Sequence, residues 1–242
     1  MNVPQPGGTL KNLDTIDSRI MSGVMRNGRI WTAHNVLNAG GTGATVAWYE
    51  IASNGWTGTG TPPSFVQEQR IVPAGIGGLS DDNIWMSHIN VDAYNNMALV
   101  FSICGPSRFA SIAYSGRVST DAAGTVRPLV IAKAGTANYE QLDGISRNRW
   151  GDYAGLALDP DGVTFWTFHE WAGLPLLTPF PGTGGNWFTN VTCFRVQDEN
   201  VPPPTGPAMI APAARAIVSS RDAVPRDPGD RPVSTVPMFI DS

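Results

Sequence analysis

Charged side chains are scarce in this 242-residue chain. Asp, Glu, Lys and Arg make up 15% of it, against about 25% in an average globular domain. Helical surfaces are normally carried by Glu, Lys and Arg, so the shortage argues against a helical protein. No basic run occurs and the formal charge is −4, so nucleic acid, whose binding rests on cations displacing counterions from phosphates, is not an expected partner. Apolar runs stop short of the roughly 18 residues that a spanning helix needs, so no membrane span is expected. Residues 1–20 lack the basic start and apolar core of an export signal; either a segment outside this chain directs export, or the protein is not exported. Two cysteines, Cys104 and Cys193, are too few for a disulfide scaffold. They read as small buried apolar residues, with pairing open to them in an oxidising compartment.

Catalytic signatures are missing as well. Gly40-Gly41-Thr42-Gly43 and Gly58-Thr59-Gly60-Thr61 lack the Lys and the following helix of a phosphate loop. No Gly-x-Ser-x-Gly elbow occurs. His34, His88 and His169 include no close pair, and the stretch from His169 to Gly173 lacks the second His of a zinc helix, so neither a metal nor another cofactor is expected.

What the chain has in excess is Gly (27) and Pro (20), about a fifth of all residues. That composition suits many short strands joined by tight turns. A repeated unit then emerges: a strand, a tight turn, an aromatic strand, a loop and a third strand. The first copy runs over 20–24, turn Asn27-Gly28, 30–34 and 44–51. A second covers 85–92, turn Asn95-Asn96, 98–102 and 109–114. The third covers 150–159, turn Asp161-Gly162, 164–168 and 188–196. Asn-Gly and Asp-Gly are strong hairpin signals because both residues accept positive φ. Trp31, Phe101 and Trp166 occupy matching places, with Trp31, Trp48 and Trp166 expected between sheets. Fourth strands are expected at 70–75 and 129–135. The fold class that follows is all-β, in β-propeller-like repeats of four-stranded antiparallel blades. Three copies fall short of the roughly four blades of a closed ring, so the ring is incomplete, the tail completes a blade, or the chain self-associates to complete the β-structure. Residues 1–197 form the propeller-like domain. Residues 198–242 form a Pro-rich linker and tail, with edge strands at 208–220 and 233–240.

Arg149-Trp150-Gly151-Asp152-Tyr153, continued by the stretch from Leu158 to Trp166 and by Glu170-Trp171, resembles a repeated module of large secreted bacterial proteins with sialidase-type β-propellers. Asp17-Ser18-Arg19 and Ile112 to Arg117 share in it. The resemblance spans about residues 10–197 and implies an extracellular or cell-surface location and a fold. It implies little about activity, since one fold hosts many functions. The sialidase Asp-box, Ser-x-Asp-x-Gly-x-Thr-Trp, is degenerate here: Gly162 and Thr164 fit, but Pro160 stands where its Asp belongs.

Two functions remain. One is a binding module for a carbohydrate or protein ligand, with His88, Arg149, Trp171 and Trp187 as ligand contacts, and Trp56, Trp171 and Trp187 as loop tryptophans able to stack on a sugar. The alternative is a sialidase-like glycoside hydrolase. It would use Arg19 and Arg117 to hold a carboxylate by their planar forks, with Asp152, Tyr153 and Glu170 as acid, nucleophile and supporting carboxylate; Tyr114 is a further candidate. Against it, Arg149 and Asp152 can form a structural ion pair, with Trp150 and Tyr153 packed between blades.

Overall fold

A computed structural model of the chain describes residues 1–7, 11–174 and 186–197. Two short strands come first, β1 (Asn2–Val3) and β2 (Leu13–Asp14). An antiparallel meander follows, built of β3 (Ile20–Arg26), β4 (Arg29–Leu37), β5 (Ala44–Ala52) and β6 (Ser64–Arg70), paired in that order. Its first turn is made by Asn27 and Gly28 at φ 50° and 72°, the left-handed pair that a two-residue hairpin requires. A second meander has the same order: β7 (Asn83–Val91), β8 (Met97–Gly105), β9 (Arg108–Arg117) and β10 (Val130–Lys133). After β11 (Asn148–Arg149) comes a three-stranded meander of β12 (Gly155–Leu158), β13 (Thr164–Gly173) and β14 (Asn186–Arg195). β2 sits between β1 and β11 in a small sheet, and its pairing with β11 is parallel.

The three meanders lie side by side in chain order. Alternation along each strand gives each sheet two faces. Trp31, Ala33 and Trp48 of the first sheet pack on Leu99, Phe101 and Ile103 of the second, with the two indoles stacked at 6.1 Å. The other face of the second sheet sets Ala98, Val100 and Ile112 against Leu156, Phe165 and Phe194 of the third, and Tyr114 stacks on Phe194 at 4.0 Å. Adjacent hairpin turns are bonded to one another at one end of the sheets. Asn27 Nδ2 donates to Asn95 Oδ1 at 2.9 Å, and the Ala93 N–H to the Gly162 carbonyl at 2.9 Å. A third apolar cluster, with Val3, Leu13, Trp85, Tyr139 and Trp150, closes the opposite end.

All-β architecture and two four-stranded antiparallel units agree with the sequence. Several details do not. The fourth strand of the first unit is β6, upstream of 70–75, because Pro73 opens a 3₁₀ turn (Pro73–Ile76) there. The third unit has three strands among the described residues. Its first strand is only Gly155–Leu158, with Trp150 buried at the sheet end. Trp166 is one residue out of phase: Phe165, like Trp31 and Leu99, stands three places after its turn and is buried. Trp166 faces away from the second sheet and gives its indole N–H to Asp159 Oδ2 at 2.8 Å. Cys104 and Cys193 are both buried and are not joined in a disulfide, and burial pushes the Cys104 thiol up. The tail over 198–242 lies outside the described residues, as does most of the loop at 173–186.

Candidate active cleft

The degenerate box is a turn-holding device. Asp161 Oδ1 accepts the Val163 and Thr164 N–H groups, each at 2.8 Å, and its Oδ2 accepts the Thr164 hydroxyl at 2.6 Å and Arg195 at 3.0 Å. Asp159 holds Trp166. Both carboxylates are engaged within the turn end of the sheets.

At the opposite end a cleft of about 390 Å³ opens, lined by Asp14, Ile16, Asp17, Arg19, Met21, Arg147, Arg149, Asp152 and Tyr153. An adjoining cleft of about 420 Å³ shares Asp14 and Arg147 and adds Lys11, Asn12 and Ser146. The walls come from two distant segments, joined where β2 pairs with β11, Leu13 to Asn148 and Asp14 to Arg149. Buried amides fix both. Asn35, fully buried on β4, donates to the Thr15 and Asp17 carbonyls at 3.1 and 3.2 Å and accepts the Met86 N–H at 2.9 Å. Asn148 donates to the Lys11 and Tyr139 carbonyls at 3.0 and 2.8 Å. Ile16 and Ser146 both hold φ 62°, a conformation that a β-branched residue adopts only under constraint, at about 1–3 kcal/mol. Ile16 and Ser146 each line one of the two clefts, and the β-branched Ile16 is the strained one.

Each cleft arginine is tied to a carboxylate. Arg19 Nε bonds both Asp17 oxygens at 2.9 Å, and that hydrogen bonding holds the Asp17 carboxyl below its usual range. Arg147 pairs with Asp143 at 2.8 Å and lies 3.8 Å from Asp14. Arg149 pairs with Asp152, and its Nε is buried with no hydrogen-bond partner. Tyr153 projects outward, 68% exposed. The result is fixed donors alternating with fixed acceptors, nearly neutral overall, beside one open aromatic ring.

Arg19, Arg149, Asp152 and Tyr153 are thus brought together. Glu170 stands behind them, its carboxyl so close to Gly151 that a Cβ there would lie 2.5 Å from Oε2. Burial, then the nearby Asp152 charge, pushes Glu170 up to about 7. Arg117 is not brought in: it ends β9 at the hairpin-turn end, buried, with NH2 on the Asp121 carbonyl at 2.7 Å and its guanidinium over Trp48. Tyr114 is inter-sheet core. His88 Nδ1 meets the Ala154 carbonyl at 2.7 Å, anchoring the residue after Tyr153, and burial lowers its pKa. Trp171 is stacked on Phe188 beneath Lys133, and Trp187 packs against the cluster around Trp150; neither presents a free face to the cleft. Trp56 is 48% exposed but does not line either cleft. The Arg149–Asp152 ion pair is present, and Trp150 is packed, while Tyr153 is not.

A Ser–His pair inside the molecule invites a catalytic reading and fails it. Ser102 Oγ lies 3.3 Å from His169 Nε2 and accepts Trp150 Nε1–H at 3.0 Å. The Glu170 N–H donates to His169 Nδ1 at 2.8 Å, so the neutral ring carries its proton on Nε2 and cannot take one from Ser102. Ser102 is fully buried. The network ties the second sheet to the third. Among the described residues no cluster of His, Cys, Asp and Glu could hold a metal.

Asp14, Asp17 and Arg147 were the residues that sequence reasoning missed as a group. The Arg-x-Arg spacing of Arg147 and Arg149, at the start of β11, was the available signal. Comparison with family models, curated proteins and solved structures returns no match.

Proposed function

We propose that the chain is an extracellular, β-propeller-like binding module that takes a neutral carbohydrate in the cleft between Asp17 and Tyr153. The stacked meanders, with their first strands and hairpin turns in equivalent places, support the propeller-like reading. The observation that carries the ligand class is the set of internally paired arginines. A site for an anion keeps its guanidinium charge free for the ligand. Here the carboxylates already neutralise it, leaving N–H donors and carboxylate acceptors at fixed positions, the complement of vicinal hydroxyls. The exposed Tyr153 ring supplies an apolar plane for a sugar face, the usual division between orienting polar groups and an aromatic platform.

The test is a glycan array followed by calorimetry on the whole chain. Binding is expected to weaken about tenfold in Tyr153→Ala, consistent with loss of roughly 1.4 kcal/mol, and further in Arg149→Ala, with melting temperature unchanged for the exposed Tyr153. Array silence, or binding indifferent to both substitutions, ends the reading. Glu170, raised to about 7 by burial and by Asp152 so that part of it keeps its proton near neutrality, favours a second reading, a glycoside hydrolase using it as acid. Against it, Arg117 is remote, and no hydrogen bond among the described residues joins Tyr153 to Glu170. Turnover of fluorogenic sialosides that Asp152→Ala abolishes would establish the hydrolase instead.

A further inference from the structure

Among the described residues, each end sheet leaves one face uncovered, and each of these faces carries a row of apolar side chains. On the first sheet, Met25, Ile30, Ile51 and Phe65 are direct partners across all four strands, on the side away from Trp31 and Trp48. Met25 is 64% and Phe65 69% exposed. On the third sheet, Ala157 pairs with Trp166 and Gly155 with Phe168, which pairs on to Val191, on the side away from Phe165. Phe168 is 48% exposed. Isolated exposed apolar residues need no explanation, but contiguous rows of them mark interaction surfaces.

The internal contacts show what such faces receive. The second sheet is covered on one side by the leading face of the first sheet and on the other by the trailing face of the third. The uncovered pair is the trailing face of the first sheet and the leading face of the third, so each lacks the kind of face that the other presents.

We propose that two copies of this chain associate head to tail, the open face of the first sheet of each covering the open face of the third sheet of the other. The two contacts are related by a two-fold axis, so the assembly closes at two chains and six sheets. The inference rests on the stacking of the sheets and is independent of the ligand.

Light scattering on the whole chain after size exclusion, over a dilution series, tests it. The expected mass is twice the 25.8 kDa of one chain. Phe65→Glu and Phe168→Glu should each give a single-chain mass while keeping the wild-type circular dichroism and melting onset, since both side chains are exposed. A cysteine replacing Phe65 together with one replacing Phe168 should cross-link copies under mild oxidation, and neither alone should. A monomer at all concentrations overturns the proposal. So does a dimer indifferent to both charge substitutions, cross-linking through position 65 alone, or a ladder of larger species without a discrete dimer.

Discussion

Glu170 and His169 are neighbours on β13 whose side chains leave by opposite faces, and burial shifts them in opposite senses. Glu170 is raised from 4.5 to about 7, so the folded chain holds this proton longer than the unfolded one. The stability it contributes is complete below pH 4.5 and lost as pH rises through about 7, a change on the order of 3 kcal/mol at about 1.4 kcal/mol per unit. His169 is lowered from 6.5 to about 4 by burial. Its contribution is complete above pH 6.5 and lost as pH falls through about 4. The two slopes oppose one another between pH 4.5 and 6.5. Glu170→Gln should leave the His169 limb alone: urea midpoints that climb from pH 4 to 6.5 and stay level above it. A variant whose midpoint still declines between pH 6 and 8 would place the effect elsewhere. Phe165 shows how finely the sequence could be read at this scale. Tryptophan is the larger apolar residue, so Trp166 looks like the core residue, but strand alternation put Phe165 inward and let Asp159 satisfy the indole N–H. Phe165→Ala should accordingly cost about 3–5 kcal/mol, and Trp166→Ala clearly less, by chemical denaturation.

Turns and strand ends decide the elements. Asp161 accepts four hydrogen bonds at the β12–β13 turn, so Asp161→Ala strands two backbone donors and frees Arg195. A loss of about 2 kcal/mol or more in unfolding free energy is expected, and a change within 0.5 kcal/mol would show the turn to be held otherwise. Hairpins were the legible part of the fold because Asn-Gly and Asp-Gly state their geometry locally. β6 was misplaced because Arg70 to Gly75 offers apolar residues, while the polar run Ser64–Arg70 pairs with β5 at a sheet edge, where burial writes no pattern. β1, β2 and β11, two residues each, are too short for any periodicity, and with them went half of the cleft. Asn35 was equally silent, since one amide inside a strand looks like a defect until its three partners are known. Asn35→Leu should unfold more readily and loosen residues 14–19, seen as faster amide exchange there. Unchanged exchange would deny Asn35 its role as the clamp on that wall.

Across the whole molecule, the repeat in the sequence is the repeat in space: three meanders in chain order, their turns bonded in a row. Arg19, Arg149, Asp152 and Tyr153 were recognisable because they occupy strand starts, and the stacked sheets put strand starts at one end. Arg117 carried the same residue type at a strand finish, and so fell at the other end. That division has a temporal side. The cleft's walls lie some 130 positions apart along the chain, and the parallel bond between β2 and β11 is what joins them. A nascent chain released from the ribosome in order can complete its first two sheets well before Arg149 appears. Until then Arg19 and its neighbours face solvent with nothing across from them. Assembly of the cleft therefore waits on β11, and a chain halted before it would hold two finished sheets and one bare wall, with the third sheet still to be made.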